Sequence, residues 1–166
     1  MPLINNGRFV SDTWMRPAEG EAHVAGARVI LPADRLADEG ESLLAAGHAL
    51  GVDIANDADI DALAPWLPRL ALIAVDFPKS ADGRGFSIAA RLRRAGFTGE
   101  LRATGHVIAD QYALARSCGF DTVEISPALA ARQPEPHWAA AARDMSLAYQ
   151  QGYGEPRSIM AARWGR

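Results

Sequence analysis

From Leu70 to Phe77 the chain is almost continuously apolar, and Pro68 and Pro78 bound the run. A stretch of this length and composition fits a strand buried on both faces of a parallel sheet, which constrains the fold more than any other part of the sequence. A polar glycine loop follows, Ser80-Ala81-Asp82-Gly83-Arg84-Gly85. Ile88, Ala89, Leu92 and Ala95 then recur at helical spacing, with Gly96 as a natural stop. Arg91, Arg93 and Arg94 lie mostly off that stripe and are expected to form a solvated face.

The pattern then returns. A strand over Glu100 to Thr104 runs into Gly105-His106, a helix with Ile108, Tyr112, Ala115 and Cys118 inward extends to Gly119, and a third strand covers Thr122 to Ile125. Strands separated by helices need crossover connections, so the expected fold is α/β, a mainly parallel sheet with flanking helices. Its loops gather at the carboxyl ends of the strands. Chain length favours an open layered sheet over a partial (βα) barrel.

The flanks add smaller elements. Leu3-Ile4, the turn Asn5-Asn6-Gly7 and Arg8-Phe9-Val10 predict an N-terminal hairpin, since Asn-Gly suits a tight turn. Pro17 to Gly26 reads as a loop and Ala27 to Leu31 as an apolar run ended by Pro32. Ser42 to Leu50 predicts a helix stopped at Gly51, followed by the short apolar Val52-Asp53-Ile54. Asn56, Asp57 and Asp59 are placed to cap a helix over Ile60 to Leu67. After Pro134 and Pro136 the stripe Trp138, Ala141, Ala142, Met145, Ala148 and Tyr149 predicts a last packing helix. Residues 1–150 thus make one α/β domain. Residues 151–166 form a tail that is either flexible or docks on a partner or a second copy of the chain.

With 166 residues, 49% hydrophobic and 22% charged, the chain can bury a real core. A formal net charge of −3 gives no global field for nucleic acid or an anionic membrane. No apolar stretch approaches the roughly 20 residues needed to span a bilayer, and the N-terminus has no signal-like pattern, so a cytoplasmic location is expected. Cys118 is the sole cysteine, and no Cys/His set fits a metal or an iron-sulfur cluster. Its position at a helix end, where the dipole disfavours a thiolate, marks it as a packed residue.

Chemistry concentrates at the strand ends. Lys79, Asp82 and Arg84 surround Gly83 and Gly85 just before a helix, and cations, free amides and glycines together suit an oxyanion such as sulfite, sulfate or phosphate. The competing reading is a structural Asp82–Arg84 pair. Arg102, Gly105 and His106 approach the same edge, followed by Asp110 and Gln111, and a histidine beside a carboxylate can serve as acid or base. There is no Walker loop, no GxGxxG after a strand and no Ser-His-Asp order.

The ordered set Asp82-Gly83-Arg84-Gly85-Phe86-Ser87, Leu92-Arg93, Thr98-Gly99-Glu100-Leu101-Arg102-Ala103, Gly105, Asp110-Gln111 and Cys118-Gly119-Phe120-Asp121 resembles the bacterial domain-of-unknown-function 934 family. The resemblance covers most of the chain and includes Tyr149-Gln150. Members are described as oxidoreductases of sulfite reduction, which implies a place in assimilatory sulfate reduction beside sulfite reductase. Its pattern marks Asp82, Gly83, Arg84, Ser87, Arg93, Gly99, Arg102, Gly105, Asp110 and Gln111. After Gly105 the family has an acid where this chain has His106, which fits helix capping better than a fixed catalytic carboxylate.

Three expectations follow. The first is an accessory protein of sulfite reduction that binds an oxyanion or the reductase. The second is an enzyme with a borrowed flavin or nicotinamide, or a lyase or isomerase, using His106 and Asp110 as catalytic groups. The third is a structural domain. In the ligand-binding readings the anion is held by Lys79, Asp82, Gly83, Arg84, Gly85, Ser87, Arg102, Gly105 and Gln111.

Overall fold

The computed structural model describes residues 1–19, 21 and 24–144. Strands β1 (Leu3–Asn5), β2 (Arg8–Val10), β3 (Trp14–Met15) and β4 (Arg28–Pro32) lead into helix α1 (Leu36–Ala45). Then come β5 (Ala49–Ile54), β6 (Leu72–Phe77), α2 (Arg84–Arg94), β7 (Glu100–Gly105) and α3 (Tyr112–Ser117). β8 (Thr122–Ile125), α4 (Pro127–Arg132) and α5 (Glu135–Asp144) complete the order. Short 3-10 turns precede α1 and α3 and occupy Asp61–Leu63. The tail after residue 150, and Met145, Ala148 and Tyr149 of the last stripe, lie outside the described residues.

All eight strands form one sheet in the order β2-β1-β8-β7-β6-β5-β4-β3. From β3 to β8 every pairing is parallel, while β1 pairs antiparallel with β8 and β2. The sheet is therefore mixed though mainly parallel, and the expected α/β class with flanking helices holds. The hairpin is in place, with Asn6 at φ 48° and Gly7 at φ 75°, the positive angles that its tight turn requires.

Covalent geometry dictates the sheet's shape. β2 and β3 are its two edges, yet only residues 11–13 join them. Four residue steps from Val10 to Trp14 span at most about 14 Å, whereas eight strands laid flat about 4.8 Å apart would separate the edges by about 34 Å. The sheet curls so that its edges approach one another. All the helices pack on the convex face: Val52, Val75, Phe77, Ala103 and Ile125 share one cluster with Leu43 of α1, Leu92 of α2, Tyr112 of α3, Leu129 of α4 and Trp138 of α5. The concave face holds a smaller cluster of Trp14, Ile30, Leu72 and Ala74.

Three expectations need correction. Leu50 and Gly51 belong to β5, because α1 has already ended at Ala45 and the His48 amide turns back to the Leu43 carbonyl at 3.1 Å. Ile60 to Leu67 holds a 3-10 turn and not an α-helix, as Pro65 interrupts it, although Asp59 does cap the Asp61 amide at 3.0 Å. Arg93 is no solvated residue: its guanidinium donates to the carbonyls of Phe97, Gly99 and Gly119 and to the Asp121 carboxylate at 2.6 Å. The same carboxylate accepts the Leu101 amide at 2.8 Å, so one side chain fastens α2 to the starts of β7 and β8. Arg93→Ala strands those acceptors and is expected to cost about 2 kcal/mol in urea unfolding, with lysine restoring only part because an ammonium cannot span them. A parental midpoint for Arg93→Ala would contradict the assignment.

Candidate functional site

At the end of β6 the glycine loop turns into α2. Asp82 Oδ1 accepts the Arg84 backbone amide at 3.2 Å and its Nε at 3.0 Å, and Oδ2 accepts Nη2 at 2.8 Å. Asp57 Oδ2 lies 3.5 Å from Arg84 Nη1, so the loop's guanidinium stands between two carboxylates. The Arg84 side chain, then its amide, holds the Asp82 carboxyl well below the usual carboxylate range. Lys79 and Ser87 are exposed, and Gly83 caps α2 without a side-chain bond. Gly85 serves packing: a Cβ there would come within 2.5 Å of the Phe77 ring.

The end of β7 is fastened to this loop. The His106 amide donates to the Phe77 carbonyl at 2.8 Å and its Nδ1 to the Pro78 carbonyl at 3.1 Å. Gln111 Nε2 donates to the Ser80 carbonyl at 2.7 Å while its Oε1 accepts the Ile108 amide at 3.2 Å. His106 and Asp110 do not converge. The first lines a hollow with Ser80, Leu129 and Arg132, the second a different one with His137 and Ala141.

The concave face carries a charge network that the sequence did not reveal. Alternation along β7 and β8 sends Leu101, Ala103, Val123 and Ile125 to the helices and leaves Glu100, Arg102, Thr122 and Glu124 facing the other way. Arg102 is 0% exposed and Glu124 2%. Asp12, from the segment joining the sheet edges, accepts from Arg102 Nη1 at 2.6 Å and Nη2 at 3.1 Å. Glu100 accepts from Arg102 Nη2 at 3.0 Å, and Glu124 from Nη1 at 3.1 Å. Arg16 adds bidentate pairs to Glu124, at 2.9 and 3.0 Å, and to Asp53, at 2.6 and 3.1 Å. Burial pushes the Asp12 carboxyl up, but the Arg102 bond, the Trp14 amide and the nearby guanidinium charges outweigh it and hold it below its ordinary value. Burial likewise works against the charge on Arg102 and Arg16, and their carboxylate partners more than restore it.

Above the network, at the carboxyl ends of the strands, Asp53, Asp76, Thr104, Gly105 and Glu124 line a hollow of about 430 Å³ with Arg16. Its carboxylates outnumber its one guanidinium, so it does not favour an anion. Arg102, placed among the anion-binding groups by sequence, is beneath it and already matched by carboxylates.

A second hollow, of about 420 Å³, is cationic. It lies where the N-terminal hairpin meets α3 and α5 and is lined by Asn6, Arg8, Tyr112, Arg116, Ala139, Ala142 and Arg143. Spacing explains the lining: Tyr112 and Arg116 are four apart on α3, as are Ala139 and Arg143 on α5, so each pair shares a face. Arg116 is steadied through Nη1, which donates to the Phe120 and Asp121 carbonyls at 3.1 and 2.6 Å. The Tyr112 hydroxyl accepts the Gly7 amide at 3.2 Å. Among the described residues no carboxylate pairs with Arg8, Arg116 or Arg143.

A family model described as a bacterial protein of unknown function, DUF934, matches residues 51–160, more than half of the chain. The chain belongs to the DUF934 family. A comparison with curated proteins gives no match. Within the DUF934 segment lie the Asp82–Arg84 lock, the Arg93–Asp121 fastening, the buried Arg102, the Gly105 turn and the Gln111 tie. Asn6, Arg8, Asp12 and Arg16 fall before it. Among the described residues no helix is long and apolar enough to cross a membrane.

Proposed function

We propose that this DUF934 protein serves sulfite reduction as an accessory protein that holds an oxyanion, and that the anion sits in the arginine hollow and not at the glycine loop. The observation carrying this reading is that, among the described residues, Arg8, Arg116 and Arg143 line one hollow without a carboxylate, whereas Arg84 and Arg102 each already have carboxylate partners. Guanidinium forks place paired N–H donors on two oxygens of pyramidal sulfite or of tetrahedral sulfate and phosphate. The pathway rests on the resemblance of the ordered set from Asp82 to Asp121, which implies a place beside sulfite reductase. We read the curled sheet as an arc of a (βα) barrel, supported by a parallel strand order that runs without reversal from β3 to β8.

Calorimetric titration with sulfite, sulfate and phosphate tests the reading. Saturable, salt-sensitive binding is expected, weakened about tenfold by Arg8→Ala or Arg143→Ala and unchanged by Arg84→Ala. No saturable binding of any of the three anions would refute it. A second reading is an oxidoreductase with a borrowed cofactor whose uncharged ring, and not its phosphates, would enter the strand-end hollow, and saturable binding of a flavin or nicotinamide would support that one. There the chemistry would fall to groups of the mouth such as Asp76 and Thr104, since His106 and Asp110 line separate hollows.

A further inference from the structure

We infer that the ligand of the arginine hollow is a sulfate or phosphate monoester of a small organic molecule, and not a bare inorganic ion. The inference rests on the oxyanion reading above and goes on to name the ligand class. Size comes first. An oxyanion occupies about two to three water volumes, roughly 60–90 Å³, and would leave most of the 420 Å³ unfilled. Organic ligands occupy pockets of about 300–1,000 Å³.

The backbone frame of the hollow is also fixed on one side. Its floor is where the hairpin turn meets α5, and the packing there is so close that a Cβ on Gly7 would stand 2.8 Å from both the Ala142 methyl and the Trp138 carbonyl oxygen. Trp138 itself is 0% exposed and its indole donates to the Gln133 carbonyl at 2.9 Å, so α5 is anchored. Arg116 is held by two carbonyls, which fixes one cationic corner.

Finally, the lining is divided. Guanidiniums of Arg8, Arg116 and Arg143 supply charge for the ester's oxyanion, while the Ala139 and Ala142 methyls offer an apolar wall for its body. Asn6 brings an amide that both donates and accepts. The Tyr112 hydroxyl, 0% exposed, accepts from Gly7 and ties the hairpin turn to α3 beside the hollow. A site for a bare ion needs neither the wall nor the neutral amide.

The test is calorimetry on the full chain with inorganic phosphate and sulfite set against methyl phosphate, phenyl phosphate, ribose 5-phosphate and phenyl sulfate. At least one of the larger esters is expected to bind tenfold or more tightly than inorganic phosphate, and Arg143→Ala to weaken ester and ion alike. Ala139→Leu, which fills the wall, is expected to weaken the ester at least fivefold while sparing the ion. Inorganic phosphate binding as tightly as every ester overturns the inference and leaves the oxyanion reading standing. Absence of binding by all ions and esters overturns both. The ligand comparison uses the unmodified protein, so the outcome does not depend on a variant folding.

Discussion

Arg102→Leu is expected to destabilise the protein by about 3–5 kcal/mol at neutral pH, the cost of removing one partner from a buried ion pair. The side chain is wholly buried and contacts Asp12, Glu100 and Glu124, so leucine leaves three carboxylates facing one another with Arg16 able to reach only Glu124 among them. Against a total stability of about 5–15 kcal/mol the loss is large. The pH dependence identifies the cause. In the parent, Asp12 titrates below its ordinary 3.8, so its contribution is present above that value and is lost as pH falls through the folded one. In the variant the stranded carboxylates prefer to be protonated, so acid relieves the strain. Urea unfolding should therefore show the gap between the two proteins narrowing from pH 7 to pH 3.5. A variant within 1 kcal/mol of the parent at pH 7 would contradict the account.

The second large effect belongs to Gly105→Ala, at about 3 kcal/mol. Gly105 has φ 101°, and a Cβ there would stand 2.6 Å from the Phe77 carbonyl oxygen and 3.1 Å from Asp76 Oδ1. That oxygen accepts the His106 amide, and Phe77 pairs with Gly105 across the β6–β7 ladder, so the oxygen cannot retreat without opening the junction. For a chain of this size the loss corresponds to about 6–12 °C in the melting temperature. A shift below 2 °C would mean that the junction yields more readily than its hydrogen bonds imply.

How much of this was legible in the sequence depended on where each residue's partner lies. β6, β8 and α2 were readable because a continuous apolar run, a short strand and a helical stripe are local patterns, and the Asn6-Gly7 turn carries its own backbone signature. α4 was missed although its signal was present: Ser126 caps the Leu129 amide at 3.2 Å and Pro127 occupies the first turn. The concave network was not readable at all. Glu100, Arg102 and Glu124 alternate with apolar neighbours as they would on any half-solvated strand, and the carboxylate that binds Arg102 at 2.6 Å is that of Asp12, ninety positions away. The site divided in the same way. Asp82 and Arg84 are neighbours, and their structural pairing was visible as an alternative to a ligand role. Arg8, Arg116 and Arg143 come from three separate elements that only the fold brings together.

The short link between the sheet's edges also has a temporal meaning. β1 pairs with β2 at once, but it can join the rest of the sheet only when β8 exists, and their register joins Leu3 to Glu124. At about 5–20 residues per second of synthesis, the hairpin waits on the order of ten seconds after leaving the ribosome before its docking strand is made. Until then any parallel pairing from β3 to β7 leaves Arg102 without its Glu124 partner. The hairpin is thus placed well after it is made, and its pairing with β8 closes a long loop in the slow, high contact order manner.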